Sequence, residues 1–209
     1  MALVTAPLLS LDASGKVADA IVFSKWKGRN YVRSLVKPAN PRSGGQVSMR
    51  AMMKFLSQQW DGLSTADKAT WEARADQSIV SPFNAYVSLN LRRWRSFTTP
   101  TKVDPAAEVG LVATVGTQTV TGGVRQVTIS TDISVGLESN WGTLIFKGLT
   151  GFSTSFSNLI AVNLNQVLTT PATFVDSPLV PGTYFYNFRL FTDDGVIGVE
   201  EGEDSGVVT

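Results

Sequence analysis

The opposite charges of its two halves constrain the fold of this 209-residue chain more than any other feature. Residues 1–100 carry fourteen Lys and Arg against six Asp and Glu, a net charge of +8. Residues 101–209 carry four against eleven, a net charge of −7. Four of the five tryptophans also lie in the basic half. Because the net charge of +1 conceals two opposed parts, we predict two domains of ordinary size with separate roles.

The absence of cysteine and histidine excludes much of enzyme chemistry. Ser-His-Asp and Cys-His systems cannot form, and neither can zinc sites built from Cys or His. Histidine is also the commonest general base near neutral pH. We therefore expect that the protein is not an enzyme and that it uses no metal and no cofactor. A carboxylate-based hydrolase is the catalytic alternative that this composition leaves open.

The first residues are apolar, but they lack the basic segment and the long apolar core of a secretory signal. No apolar run approaches the roughly 20 residues that a membrane helix needs. We therefore expect synthesis in the cytoplasm and no membrane partner. Residues 1–14 are predicted to form an extended arm, because this short apolar stretch is hard to bury within its own domain.

A β-hairpin is predicted in the basic half, where two runs of β-forming residues flank residues 27–30. Gly28 and Asn30 both tolerate positive φ and are expected in the turn. Residues 37–45 follow as an extended connector, because they contain two prolines and two glycines.

Three short helices are predicted after the connector. The first covers residues 46–60 and is expected to end at Gly62. Its apolar residues at helical spacing are Met49, Met52, Met53, Leu56 and Trp60. The second begins at a capping box of Ser64 and Asp67 and extends to about residue 77. The third begins at Ser81 and Pro82 and extends to about residue 94, with Phe83, Tyr86, Val87, Leu91 and Trp94 on one face.

Basic and aromatic residues of this half are candidates for docking on a partner. The set comprises Lys25, Trp26, Lys27, Arg29, Tyr31 and Arg33 of the hairpin, with Arg92, Arg93 and Arg95 at the end of the third helix. Their charge suits an acidic protein surface or nucleic acid. A solvated helix end that complements the helix dipole is the alternative for the three arginines. Trp60, Trp71 and Trp94 are predicted to be core residues rather than platforms for base stacking.

Residues 15–94 are similar to a module of small phage and prophage proteins. The resemblance is carried by Gly15-Lys16, residues 22–33, residues 38–41, Gln46, Arg50, Trp60, Leu63 and Trp71. Such proteins are found among virion structural genes, so the resemblance implies a particle component and supplies no catalytic residues. Residues 60–75 also resemble the second helical turn of HMG-box DNA-binding proteins, although the hairpin before them does not belong to that family.

The acidic half is predicted to be a β-sandwich, because short β-rich runs alternate with Gly, Asn, Asp and Pro. The seven predicted strands are residues 110–115, 124–130, 142–147, 159–162, 173–176, 183–191 and 206–209. Residues 193–195 and 200–204 hold six of its eleven acidic side chains. We expect solvated loops there, and an oxygen-only calcium site is the alternative.

Leu179-Val180-Pro181-Gly182-Thr183-Tyr184-Phe185-Tyr186 resembles the corner before strand F of fibronectin type III domains. The resemblance implies an immunoglobulin-like sandwich of about a hundred residues. The family's corner tyrosine falls on Phe185, which has no hydroxyl. Tyr184 and Tyr186 are the alternative donors, and a different register of the motif is the remaining alternative.

These observations predict an α+β protein of two domains. Its parts are an N-terminal arm (1–14), a β-hairpin plus three short helices (15–97), a linker (98–108) and an immunoglobulin-like, fibronectin III-like β-sandwich (109–209). We expect a bacteriophage virion structural protein, assembled in the host cytoplasm as a capsid decoration, neck or tail accessory component. Other virion proteins and copies of itself are the expected partners, with weak binding to host-surface glycans left open. Nucleic acid is not expected, and a nucleic-acid-binding protein and a carbohydrate-binding adhesion module are the alternatives.

Overall fold

The protein is α+β and divides into two compact units, Met1–Pro41 and Arg42–Thr209. We call them the N-terminal sheet unit and the main unit. The computed structural model describes residues 2–3, 15–17, 20–26, 28–36, 40–109, 117–132, 140–164 and 172–209. The division into a 15–97 domain and a 109–209 domain stays a prediction.

A four-stranded antiparallel sheet forms the N-terminal sheet unit. Its strands are β1 (Ala2–Leu3), β2 (Gly15–Val17), β3 (Ile21–Trp26) and β4 (Arg29–Ser34), in the order β1-β4-β3-β2. The predicted hairpin is β3-β4, but the expectation that Asn30 lies in the turn is wrong, because Asn30 pairs with Lys25 inside the ladder. Gly28, at a φ of 80°, makes the shorter connection possible. Of the predicted arm, residue 1 and residues 4–14 lie outside the described residues.

Three helices open the main unit: α1 (Gly44–Gln59), α2 (Thr65–Asp76) and α3 (Pro82–Arg95). Helix α1 tightens into a 3-10 turn over Trp60–Gly62. Gly62 ends this turn without a positive φ, and the Leu63 N–H closes the turn on the Trp60 carbonyl. Met53 is also not a core residue: it is 37% exposed, and Phe55 is buried instead.

The predicted starts of α2 and α3 are confirmed, whereas α1 begins at Gly44, so Gly44 and Gly45 are helical and not part of the extended connector. Ser64 Oγ accepts a hydrogen bond from the Asp67 N–H at 3.1 Å, and Asp67 Oδ2 accepts one from the Ser64 N–H at 3.2 Å, which completes the capping box. Ser81 Oγ accepts from the Asn84 N–H at 3.2 Å, with Pro82 in the first helical turn. Both signals are local, so the sequence alone specifies them.

Two antiparallel sheets complete the main unit, in agreement with the predicted β-sandwich. Their strands are β5 (Thr117–Gly123), β6 (Gln126–Asp132), β7 (Asn140–Gly148), β8 (Leu159–Leu164), β9 (Ala172–Asp176), β10 (Gly182–Thr192) and β11 (Glu203–Val208). The strand orders are β5-β6-β9 and β11-β10-β7-β8. The predicted strand 110–115 lies outside the described residues, and β5 was not predicted because its Thr- and Gly-rich sequence lacks apolar alternation.

The four-stranded sheet of the main unit is buried on both faces. On one face, Ile145 packs with Ile129 and Phe188 in the core between the two sheets. On the other face, Leu144 and Phe146 pack in a cluster that includes the buried side chains of the three helices. Because both faces are covered, residues 140–146 of β7 are all buried, and Leu144, Ile145 and Phe146 are consecutive apolar residues instead of alternating with polar ones. The main unit is therefore a three-layer structure of sheet, sheet and helices.

The segment predicted as a linker is hydrogen-bonded to the helices. The side chain of Asn90 donates to the Thr101 carbonyl at 3.0 Å and accepts from the Thr101 N–H at 2.9 Å. Trp71 Nε1 donates to the Lys102 carbonyl at 2.6 Å. Thr99 and Thr101 are buried. Residues 99–102 thus form part of the packed main unit.

Ile79 combines two unfavourable properties in the connection between α2 and α3. Its φ is 51°, a left-handed value that β-branched residues rarely adopt, and 99% of its surface is exposed. Replacing it with asparagine, which tolerates this conformation, should raise the free energy of unfolding by about 1 kcal/mol. Leu149→Asn is the control, because Leu149 is 84% exposed but has no positive φ. Equal effects of both substitutions in urea unfolding would contradict the prediction.

Candidate functional site

One face of the N-terminal sheet unit combines cations with an aromatic ring. In the register of the sheet, Val22 of β3 lies between two cations: Arg33 on the neighbouring strand β4 and Lys16 on the neighbouring strand β2. Tyr31 lies opposite Ser24, two residues along from Arg33. Directly opposed residues share a face, and residues two apart do so as well. Arg29, Tyr31, Arg33 and Lys16 therefore share one face, which we call the basic face.

The other face of this sheet is more apolar. Phe23 lies opposite Val32, and Lys25 lies opposite Asn30 on this face. The structure therefore separates Lys25 from the three predicted docking residues Arg29, Tyr31 and Arg33. Trp26 pairs with Arg29 through the backbone, and nothing of its side chain is described. Lys27 lies outside the described residues.

The cationic side chains of the basic face are accessible to solvent. Lys16, Arg29 and Arg33 are exposed, and Tyr31 is half-buried. Residues 1–41 carry six Lys and Arg against two Asp and Glu, a net charge of +4. The face can therefore attract carboxylate or phosphate groups, and Tyr31 supplies aromatic surface that can pack at an interface.

The three predicted docking arginines at the end of α3 do not form one group. Arg93 is turned into the main unit, with 18% of its side chain exposed. Its Nε donates to the Thr99 carbonyl at 2.9 Å, and its Nη2 pairs with Glu108 Oε1 at 2.8 Å. Arg92 and Arg95 are exposed, so only these two are available to a partner.

Acidic residues of the main unit are largely engaged within it. Glu200 Oε1 accepts from the backbone and hydroxyl of Thr154 and from Arg189 Nη2. These hydrogen bonds, those from Thr154 first, lower the pKa of Glu200 despite some opposing burial. Asp193 pairs with Lys102 at 3.2 Å. Within the described ranges, no group of three acidic side chains could hold a metal ion.

A polar cluster joins the two sheets of the main unit. Asp176 Oδ2 of β9 accepts from Lys147 Nζ of β7 at 2.7 Å and from the hydroxyl of Tyr186 of β10 at 2.9 Å. Burial, followed by the charge of Asp176, raises the pKa of Tyr186. These contacts link β9 of one sheet to β7 and β10 of the other.

At the start of β10, one of the two tyrosines supplies the hydroxyl that bonds back to the preceding corner. Tyr184 donates to the Val180 carbonyl at 3.0 Å, four residues upstream. Tyr186 instead donates to Asp176. Of the two alternative donors that the sequence left open, Tyr184 therefore makes the bond back to the preceding backbone.

Comparisons with known proteins do not assign this chain to a family. No family model matches the chain, and no curated protein is significantly similar to it. Among solved structures, CopC from Methylosinus trichosporium OB3b is similar over 46% of this chain and 93% of its own, at 19% sequence identity and a TM-score of 0.27. No helix within the described residues is long and apolar enough to cross a membrane.

Proposed function

We propose that this protein is a structural component of a bacteriophage particle that docks through the basic face of its N-terminal sheet unit. The observation that carries the proposal is the placement of Lys16, Arg29, Tyr31 and Arg33 on one face of a unit separate from the rest of the chain. The resemblance of residues 15–94 to a phage and prophage module is the reason for proposing that the assembly is a phage particle. The partner is an acidic surface of a neighbouring virion protein.

The docking mechanism is electrostatic steering followed by close packing. Single exposed ion pairs contribute only about 0.2–1 kcal/mol, so several must act together. Arg29 and Arg33 on either side of Tyr31, with Lys16 two strands away on the same face, provide such a group, and Tyr31 is an aromatic anchor of the kind that interfaces favour. The charges accelerate encounter with an acidic partner, and burial of Tyr31 slows dissociation.

The main unit supports the role of a displayed immunoglobulin-like body. With β5 to β11 named A, B, C, C′, E, F and G, the two sheets have the orders A-B-E and G-F-C-C′. This arrangement is the one expected for a sandwich of the immunoglobulin and fibronectin III group. The hydrogen bond of Tyr184 to Val180 supports the assignment, because a tyrosine corner near the start of strand F makes such a bond.

The experiment is quantitative mass spectrometry of purified, nuclease-treated particles from the phage or prophage that encodes the chain. We expect a fixed copy number per particle, which also distinguishes a capsid-wide decoration from a neck or tail ring. Absence from the particles would overturn the proposal.

Variants identify the docking face. The double substitution R29E/R33E should reduce the copy number at least about tenfold, because it reverses two of the charges that hold the acidic partner. The control K25E/R125E makes the same change in net charge, with Lys25 on the other face of the sheet and Arg125 exposed in the main unit. Equal losses from both pairs would show that the basic face has no special role.

The second candidate function is nucleic-acid binding, which the same cations favour. It predicts binding to duplex DNA whose affinity falls steeply with salt. Fluorescence anisotropy with a labelled duplex tests it directly. Loss of DNA binding in R29E/R33E, together with absence from particles, would establish this alternative over docking on a virion protein.

A further inference from the structure

Two adjoining cavities form a groove along the seam between α1 and β8 in the main unit. One has a volume of about 480 Å³ and the other about 370 Å³. Both are lined by Ala51, Lys54 and Ile160, so they are continuous. Val162 and Phe174 add apolar lining to the larger cavity. Gln58 and Thr173 add polar lining, so the groove combines apolar and polar surface.

The rim of this groove is cationic. Arg42, Arg50 and Lys54 line it, and all three are exposed. In the part of the chain that the structure describes, Arg42 and Lys54 have no carboxylate within ion-pair distance. The Nδ2 atom of Asn163, which also lines the groove, is buried and has no hydrogen-bond partner there. Cations attract anionic groups, and a buried amide donor needs a hydrogen-bond acceptor, so a carboxylate can satisfy both.

Unpaired carboxylates lie at the opposite end of the same sheet. In the order β11-β10-β7-β8, the groove borders the last strand, and β11 is the first. Strand β11 begins with Glu203 and Asp204, shortly after Glu201. Within the described residues, neither Glu201 nor Asp204 forms an ion pair, whereas Glu200 pairs with Arg189. The groove therefore borders one edge strand of the sheet, and the half-buried Glu201 and Asp204 lie at the other edge, about 14 Å away across three strand spacings.

We infer that copies of this chain associate head to tail, with Glu201 and Asp204 of one copy docked in the α1–β8 groove of the next. The two surfaces differ in charge and position, so the contact is heterologous and extends into a ring or a filament instead of stopping at a dimer. The carboxylates pair with Arg42 and Lys54 and provide an acceptor for Asn163. This association goes beyond docking on the particle, because none of its residues belongs to the basic face.

Charge reversal in the full chain tests the contact. Either R42E/K54E or E201K/D204K should weaken self-association at low salt at least roughly tenfold, because each replaces attraction by repulsion at two ion pairs. Sedimentation velocity across a concentration series measures the effect, and circular dichroism checks folding. The control K25E/R125E makes the same change in net charge as R42E/K54E at exposed sites away from the groove, and should assemble as the wild type does.

Rescue separates direct pairing from a general effect of charge. An equimolar mixture of R42E/K54E with E201K/D204K should assemble again, because each altered surface then meets a complementary one. A wild-type chain that stays monomeric at low salt would overturn the inference, and so would a mixture that fails to assemble. R29E/R33E should self-associate normally, so a failure of particle docking and a failure of this contact are distinguishable.

Discussion

Replacing Phe55 with alanine should lower the free energy of unfolding of the main unit by about 4 kcal/mol. Phe55 lies on α1 and is 2% exposed. Its ring packs edge-on against Trp141 at 5.1 Å and against Phe191 at 5.6 Å between ring centroids, and both partners belong to the four-stranded sheet. The substitution therefore removes contacts of the helical layer and of the sheet together, and leaves a cavity between them.

The informative measurement is guanidinium unfolding followed by far-UV circular dichroism and by tryptophan fluorescence. We expect both signals to shift together in one transition, because helices and sheet share a core. Met53→Ala on the same helix is the control: Met53 is 37% exposed and should cost less than about 1 kcal/mol. If unfolding instead occurs in two separate transitions, the helices form a domain separate from the sandwich.

Local signals in the sequence predicted much of this fold. The capping box at Ser64 and the start of α3 at Ser81 involve side chains and backbone groups three residues apart, so no distant partner is needed. Trp71 and Trp94 were predicted as core residues from their helical faces, and both are fully buried. The six predicted strands within the described residues overlap observed ones, because their β-forming runs end at turn residues.

Non-local contacts account for what the sequence did not predict. Met53 and Phe55 both lie near the apolar stripe of α1, and the position of Trp141 and Phe191 decides which one is buried. Residues 98–108 have the composition of a linker, yet Asn90 and Trp71 bind their backbone from other parts of the chain. Helical periodicity and composition contain no information about such partners.

The candidate docking residues were also grouped by their proximity in the sequence, and the folded structure preserves only part of that group. Clustering along the sequence selected Lys25 together with Arg29 and Arg33, but the two-residue period of a strand and the register of the hairpin place Lys25 on the other face. Arg93 was grouped with Arg92 and Arg95 because the three are almost contiguous. Its contacts with Thr99 and Glu108 depend on how residues 99–108 fold back, which the local pattern does not specify.

Replacing Asn90 with alanine should destabilise the main unit by about 3 kcal/mol and release the segment that follows α3. Asn90 is buried, and its side chain satisfies both the N–H and the carbonyl of Thr101. Alanine leaves these two backbone groups without their partners, and each unsatisfied buried group costs about 1–3 kcal/mol. Opening of residues 99–102 should also weaken the bond from Trp71 to the Lys102 carbonyl.

Trypsin cleavage after Lys102 measures the release. We expect Asn90→Ala to be cleaved there up to roughly a hundredfold faster than the wild type, since 1.4 kcal/mol corresponds to a factor of ten in the open population. Ser88→Ala is the matched control, because Ser88 is exposed on the same helix. Rapid cleavage at Lys102 in the wild-type chain would instead mean that residues 98–108 act as a flexible linker, and that Asn90 does not hold them against the helices.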